Sequence, residues 1–215
     1  VNAAIFKDGR PSTDLDTIKQ LSLWLKTHIK GGPGLSEPSA QALRTMLAGE
    51  GGVCSDVAQI FNNFCVLNDL KVREWGTTSV PFNKEFGGHS FNEVYCKELQ
   101  QWVLIDVYWC VLFYDDLEKP LSVIELYQLK RAQQKFTYEF FNSEHEVNPA
   151  NIDKNFLNPE IVPFLICDYR NAVYDAFLGR ARPYLPVFVI HFAIFLLRRS
   201  YHYRFPLDDY KAIFS

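Results

Sequence analysis

The chain has 215 residues, 48% of them apolar and 22% charged, enough for one domain with an appendage around a real core. Its net charge of -3 gives no overall electrostatic reason to expect nucleic acid or an anionic membrane as a partner. Cysteines stand at 54, 65, 96, 110 and 167, an odd count with no CxxC pair and no Cys/His cluster at zinc spacing. A disulfide framework and a metal site are therefore not expected, and a reducing, cytoplasmic location is. The chain opens Val-Asn-Ala, with no charged segment leading into an apolar run, so no signal peptide is visible. It also lacks an initiator Met, and a processed or truncated N-terminus is compatible with that. There is no internal repeat and no low-complexity stretch.

In chain order, Asp14 to Ile29 reads as a helix, with a stripe of Ile18, Leu21, Leu25 and Ile29, Trp24 beside it, and Thr13 as cap. KGGPGLSEP follows as a loop. Pro38 to Leu47 reads as a second helix, stopped by Gly49. After Gly51-Gly52, the residues Cys54, Val57, Ala58, Phe61, Phe64 and Cys65 recur at i, i+3, i+4, i+7, i+10 and i+11. That spacing is one apolar face of an α-helix, with Cys54 its first member and Asn68-Asp69 its stop. Val72 to Thr78 reads as a strand and Pro81 to Gly88 as a loop. SFNEVYC and QWVLIDVYWCV read as two strands joined by the polar turn KELQ. From Pro120 the pattern turns mostly helical, through LSVIELYQLKRAQQ, an Asn- and Pro-rich loop, and PFLICDYRNAVYDAFLG. The expected division is a core over residues 1–119 and a mostly helical extension over 120–215 packed on it. The apolar run Tyr184 to Leu197 has 14 residues, too few for a span of about 20. It reads first as a buried helix, with an oligomer interface or peripheral membrane contact as alternatives. RRSYHYR after it reads as a solvated patch.

The chemistry gathers around Cys54. Unpaired N–H groups and the dipole at a helix N-terminus stabilise a thiolate, and the same N–H groups can hold an oxyanion. The two glycines before it allow a sharp turn and close approach of a substrate. The competing reading of Cys54 is a small buried residue that starts a core stripe. A thiolate works best beside a histidine held by a third group. An even-numbered turn closing between Cys96 and Leu99 would place His89 directly opposite Asp106, and Glu93 opposite Trp102, all on one face. A one-residue slip would separate them.

The motifs GVCSDVAQIF, HSFNEV and WVLID, in that order, together with the Trp24 helix LSLWLKTHI, resemble the transglutaminase-like superfamily of papain-like thiol enzymes over roughly residues 13 to 110. The resemblance implies an α+β fold: N-terminal helices carrying the nucleophile packed on an antiparallel sheet. It implies a triad in which Cys54 attacks a carbonyl, His89 is general base and then acid, and Asp106 orients His89. Water or an amine would then resolve the thioester, so the implied partner is a peptide or amide-bearing substrate, with no cofactor and no metal. An upstream Trp helps hold the oxyanion in some members; Trp24 is the candidate here, against a core-facing reading. Phe91 stands where Trp is usual, Val107-Tyr108 where Pro-Thr is common, and GVCSD replaces the GQCW of animal cross-linking enzymes. With no acidic cluster for calcium, these departures fit hydrolysis and the bacterial members better than calcium-dependent cross-linking. A non-catalytic binding module on the same fold is the alternative.

Among other residues, Glu93 is read either as paired inside the sheet or as support for the triad. Tyr108, Trp75 and Trp109 are read as core, with cleft lining as the alternative. His28, His145, His191 and His202 read as surface or satisfied core, and Cys65, Cys96, Cys110 and Cys167 as small buried residues. The substrate and the oligomeric state are not legible at this level.

Overall fold

The computed structural model describes residues 2–81, 83–86, 88–143, 147–167, 171–197 and 202–204. His145, Arg198 and Arg199 lie outside them, as do the side chains of Cys167, His191 and His202. The N-terminal part is helical: α1 (Asn2–Ile5), α2 (Asp14–His28), α3 (Ser39–Leu47) and α4 (Cys54–Leu67). Thr13 caps α2 by accepting the Asp16 N–H at 3.0 Å. The chain leaves α4 through Asp69 in the left-handed conformation, at φ 58°.

The strands β1 (Lys71–Ser79), β2 (His89–Cys96), β3 (Gln101–Asp106) and β4 (Val111–Tyr114) follow. The later part carries α5 (Val123–Arg131), β5 (Thr137–Phe140), α6 (Ala150–Ile152) with a π-helical turn Asp153–Leu157, β6 (Ile161–Cys167), α7 (Asn171–Ala181), α8 (Val187–Leu196) and β7 (His202–Arg204). The seven strands form one sheet in the order β5-β4-β3-β2-β1-β6-β7, with every pair antiparallel. The fold is thus α+β, a papain- and transglutaminase-like core with a helical extension. The extension also adds β5 to one side of that sheet and β6 and β7 to the other.

Each face of the sheet has its own core. One holds Leu21, Leu25 and Met46 with Val57, Phe61 and Phe64 of α4, laid against Val94, Val103 and Ile105. The other holds Trp75, Phe91, Leu104 and Phe113 under Leu126, Ile152 and Phe156. Each buried aromatic or branched side chain of α4 stabilises its seat by roughly 2 kcal/mol. The polar residues of α4 that go inside are all partnered: Gln59 donates to Ser39 Oγ at 2.8 Å, and Asn62 to Glu74 at 2.9 Å.

Several sequence expectations need correction. PFLIC is not helical; it lies in β6, paired with β1, because a short apolar run fits either period and here meets an open strand edge. QWVLIDVYWCV is not one strand. It breaks after Asp106 into a turn at residues 107–110, with Cys110 at φ 53°, before β4 resumes. The β2–β3 register also differs. Cys96 pairs with Gln101 rather than Leu99, so Glu93 faces Leu104 and Trp102 faces Tyr95. The loop is four residues, not two, with Gln100 at φ 53°. A two-residue hairpin would have demanded positive φ at Lys97 in a type II′ turn, or at Lys97 and Glu98 in a type I′ turn, which neither side chain favours. Finally, the run read as a buried helix at Tyr184 to Leu197 leaves much of its apolar surface exposed.

Candidate functional site

Cys54 occupies the first turn of α4 and is half-buried. The N–H groups of that turn have no intrahelical acceptor, so the positive end of a 14-residue helix surrounds the thiol. The turn is held from outside. Asp56 takes the Val53 N–H at 2.9 Å and the Leu35 N–H at 3.1 Å, tying the Gly- and Pro-rich loop to the helix start. Two glycine pairs then pack back to back. Gly32 donates to Gly52 O at 3.0 Å, and Gly52 donates to Pro33 O at 2.9 Å. Gly51, at φ 153°, has no room for a side chain: a Cβ there would lie 2.7 Å from Leu35 Cδ2 and 2.9 Å from Pro33 O. The glycines before the cysteine serve this close loop packing.

His89 opens β2 and Asp106 closes β3, so both stand at one end of the sheet, where the N-terminus of α4 arrives. His89 Nε2 meets Asp106 Oδ2 at 2.7 Å. The two are diagonal neighbours on one face rather than directly opposed, because the register moves by two residues and side-chain parity survives a shift of two. Asp106 is fully buried, and its Oδ1 accepts the N–H groups of Tyr108 at 3.0 Å and Trp109 at 3.2 Å. The turn after Asp106 therefore supplies those two donors. With Nε2 engaged by Asp106, Nδ1 is the ring nitrogen left over, and Cys54 lies near enough to the ring to act on its pKa. Burial pushes the His89 pKa down, but the Asp106 charge and hydrogen bond, joined by Cys54, outweigh it and raise the value to about 10.

The structure does not bring Trp24 to this point. Its indole stacks on His28 at 4.4 Å and tilts against Phe64 at 5.8 Å. Phe64 is ten residues along α4 from Cys54, about 15 Å of helix. Glu93 also has its partners elsewhere than Cys54, His89 and Asp106. It is buried, accepts from Trp75 Nε1 at 3.1 Å and Val123 N at 3.0 Å, and pairs with Arg73 at 3.5 Å. Burial raises its pKa against the pull of those partners.

Three contributors were missed or undervalued in the sequence. Tyr108 meets the His89 ring edge-on at 6.3 Å, and its pKa is raised by burial and then by Cys54 and Asp106. The sequence alone reads it as core; its place two residues after Asp106 is the signal that could have marked it. Lys26 donates to Tyr108 O at 3.1 Å and lines a small cavity beside the thiol turn with Lys30, Gly31, Gly52, Val57 and Tyr108. Phe156, from the π-helical turn, packs edge-on against His89 at 5.8 Å. It lies in a stretch read as a loop, and nothing local marks it. Among the described residues, no group of three His, Cys, Asp or Glu side chains is placed to hold a metal ion.

This arrangement brings a thiol at a helix start, a histidine and a buried carboxylate to one end of the sheet, as suits a thiol-dependent enzyme fold. No curated protein and no solved structure is matched by the chain at a significant level. The sequence profile of the transglutaminase-like superfamily matches residues 4–107, the stretch that holds Cys54, His89 and Asp106. Over those residues, just under half of its length, the chain is similar to the transglutaminase-like superfamily.

Proposed function

We propose that the protein is a thiol hydrolase acting on an amide or peptide bond, with Cys54 as nucleophile, His89 as proton carrier and Asp106 as the group that orients and charges His89. The observation that carries this reading is His89 held by the fully buried Asp106 at 2.7 Å, with the partly buried Cys54 near enough to act on the same ring. The imidazolium favoured by Asp106 stabilises negative sulfur. The thiolate attacks the carbonyl carbon, and the developing oxyanion meets the free N–H groups of the α4 first turn. The C–N bond breaks as His89 gives its proton to the leaving amine. Neutral His89 then takes a proton from water, which attacks the thioester and releases the acid and the thiol.

A second reading, a superfamily fold kept as a binding module, draws support from Phe156 and Tyr108, which leave His89 almost no exposed surface. The test is incubation of the chain with a pool of amidated peptides and a fluorescent primary amine, comparing wild type with Cys54→Ala. Hydrolysed peptides formed by the wild type alone support the proposal, and fluorescent conjugates would move it to amine transfer. Identical product profiles from both proteins would favour the binding module.

A further inference from the structure

The cavity between the end of α2 and the thiol turn holds about 30 Å³, the room of about one water molecule. Gly52 and Val57 form one wall, two residues before Cys54 and three residues after it, so the cavity borders the turn that carries the sulfur. Ile29 and Val107 complete the apolar lining. The polar side chains at the cavity are Lys26, Lys30 and Tyr108, and all three can donate hydrogen bonds. The proposed chemistry gives no part to the two lysines.

Lys26 is held in place. Its Nζ donates to Tyr108 O at 3.1 Å and lies 5.1 Å from the centre of the Tyr108 ring and 5.6 Å from that of Trp109. An ammonium has three N–H donors, so two remain. Lys30 is exposed, and its stem runs past Gly49, where a Cβ would lie 3.5 Å from Lys30 Cδ. The Tyr108 hydroxyl stands over Gly31, 3.1 Å from where a Cβ would sit, while the Tyr108 ring meets His89 edge-on. Among the described residues neither lysine is ion-paired. The acids nearest the thiol turn are occupied elsewhere. Asp56 accepts the Val53 and Leu35 N–H groups, and Asp106 accepts from Tyr108 and Trp109 and holds His89. The cavity thus gathers two cations with no carboxylate of the chain to balance them.

We propose that this cavity receives a carboxylate of the substrate, so that Cys54 acts on amides that carry a negative charge close to the bond it attacks. Lys26 and Lys30 pair with the carboxylate, and the Tyr108 hydroxyl donates to it. The apolar lining of Ile29, Val57 and Val107 strengthens the pairing by keeping water out, and the small volume admits a carboxylate but no ring. The inference rests on the reading of Cys54 as a nucleophile and names the substrate class of that site. An acidic side chain and a free chain end offer the same group.

The test is the rate of Cys54 alkylation by iodoacetate relative to iodoacetamide, read by mass spectrometry on the full chain at about pH 7. The reagents differ in charge and little in size, and with both the sulfur displaces iodide, so the ratio cancels changes in the thiol itself. His89 is present in every protein compared. Lys26→Gln/Lys30→Gln should lower the ratio about tenfold and Lys30→Gln alone about threefold, whereas Lys30→Arg should keep it. Lys30 is exposed, so its variants should retain the fold. Raising salt from about 20 mM to about 500 mM should lower the wild-type ratio more than that of the double variant. In the peptide assay, hydrolysis beside Asp or Glu assigns the carboxylate to a side chain, and faster hydrolysis of free-acid dipeptides than of their amidated twins assigns it to a chain end. A rapidly reacting Cys54 whose ratio ignores both lysines overturns the inference and leaves the triad standing. A Cys54 of ordinary reactivity toward iodoacetamide in both wild type and His89→Ala overturns the proposed chemistry and this inference with it.

Discussion

Two buried acidic clusters lie on the same sheet, and they differ in their partners. Under the middle of α4, Glu74 accepts from Asn62, and Asn62 in turn accepts from Asn92 at 2.8 Å. Burial pushes the Glu74 pKa up to about 8, with the Asn62 bond opposing and the Asp56 charge adding to the rise. At the sheet's end, Asp106 is no less buried, yet it has two backbone N–H donors and an imidazole partner, whose pKa it helps raise to about 10. The difference teaches that a perturbed buried acid such as Glu74 is not by itself a site, which also needs a proton carrier and a reactive atom at an opening. Glu93 is a third case: buried and fully partnered, but with Arg73, Trp75 and a helix N-terminus rather than with the thiol.

The comparison breaks most sharply at His89. His89→Ala should slow alkylation of Cys54 near pH 6 by about 10²-fold, read by mass spectrometry. Asp106→Asn should cost about tenfold in the same assay, because it keeps the site's shape but removes the charge that favours the imidazolium. It should also change the pH dependence of stability. The folded pKa of His89, about 10, lies above its ordinary 6.5, so the stabilisation by the ion pair is full below pH 6.5 and is lost as pH rises through about 10. The stability difference between wild type and Asp106→Asn should shrink across that window in urea titrations.

Glu93→Gln should lower stability by roughly 1 kcal/mol while leaving Cys54 alkylation unchanged; a matching loss of reactivity would give Glu93 a supporting role after all. The smallest effect belongs to Glu74→Gln. A carboxyl raised from 4.5 to about 8 gives stability that is full below pH 4.5 and lost as pH rises through about 8. The substitution should flatten that slope and leave the thiol untouched. Denaturation curves at pH 5 and pH 8 would check this.

The parts of this architecture legible in the sequence are those that depend on local periodicity. The α4 stripe from Val57 to Cys65 is buried as its spacing requires, and alternation alone puts His89 and Asp106 on one face. The pairing register was not legible, because it is decided by the length of the turn after Cys96, and the polar residues KELQ fit more than one turn. Phe156 reaches His89 from 67 residues away in the chain, and such contacts leave no local trace. Trp24 shows the opposite hazard. A Trp upstream of a cysteine suits a family pattern, but its helix turns it toward Phe64. The small overall charge likewise concealed a 32-residue stretch with five arginines and no acid.

The central claim is that Cys54 and His89 share a proton under the influence of Asp106. The most direct measurement is the iodoacetamide alkylation rate of each cysteine from about pH 4 to pH 9, in wild type and His89→Ala. Cys65, Cys96 and Cys110 are internal controls, since burial raises the pKa of Cys65 well above its ordinary value and pushes Cys96 and Cys110 up to about 12. Cys54 alone should react rapidly at pH 6, and His89→Ala should remove the advantage. A Cys54 that reacts like an ordinary thiol at every pH, with or without His89, would contradict it.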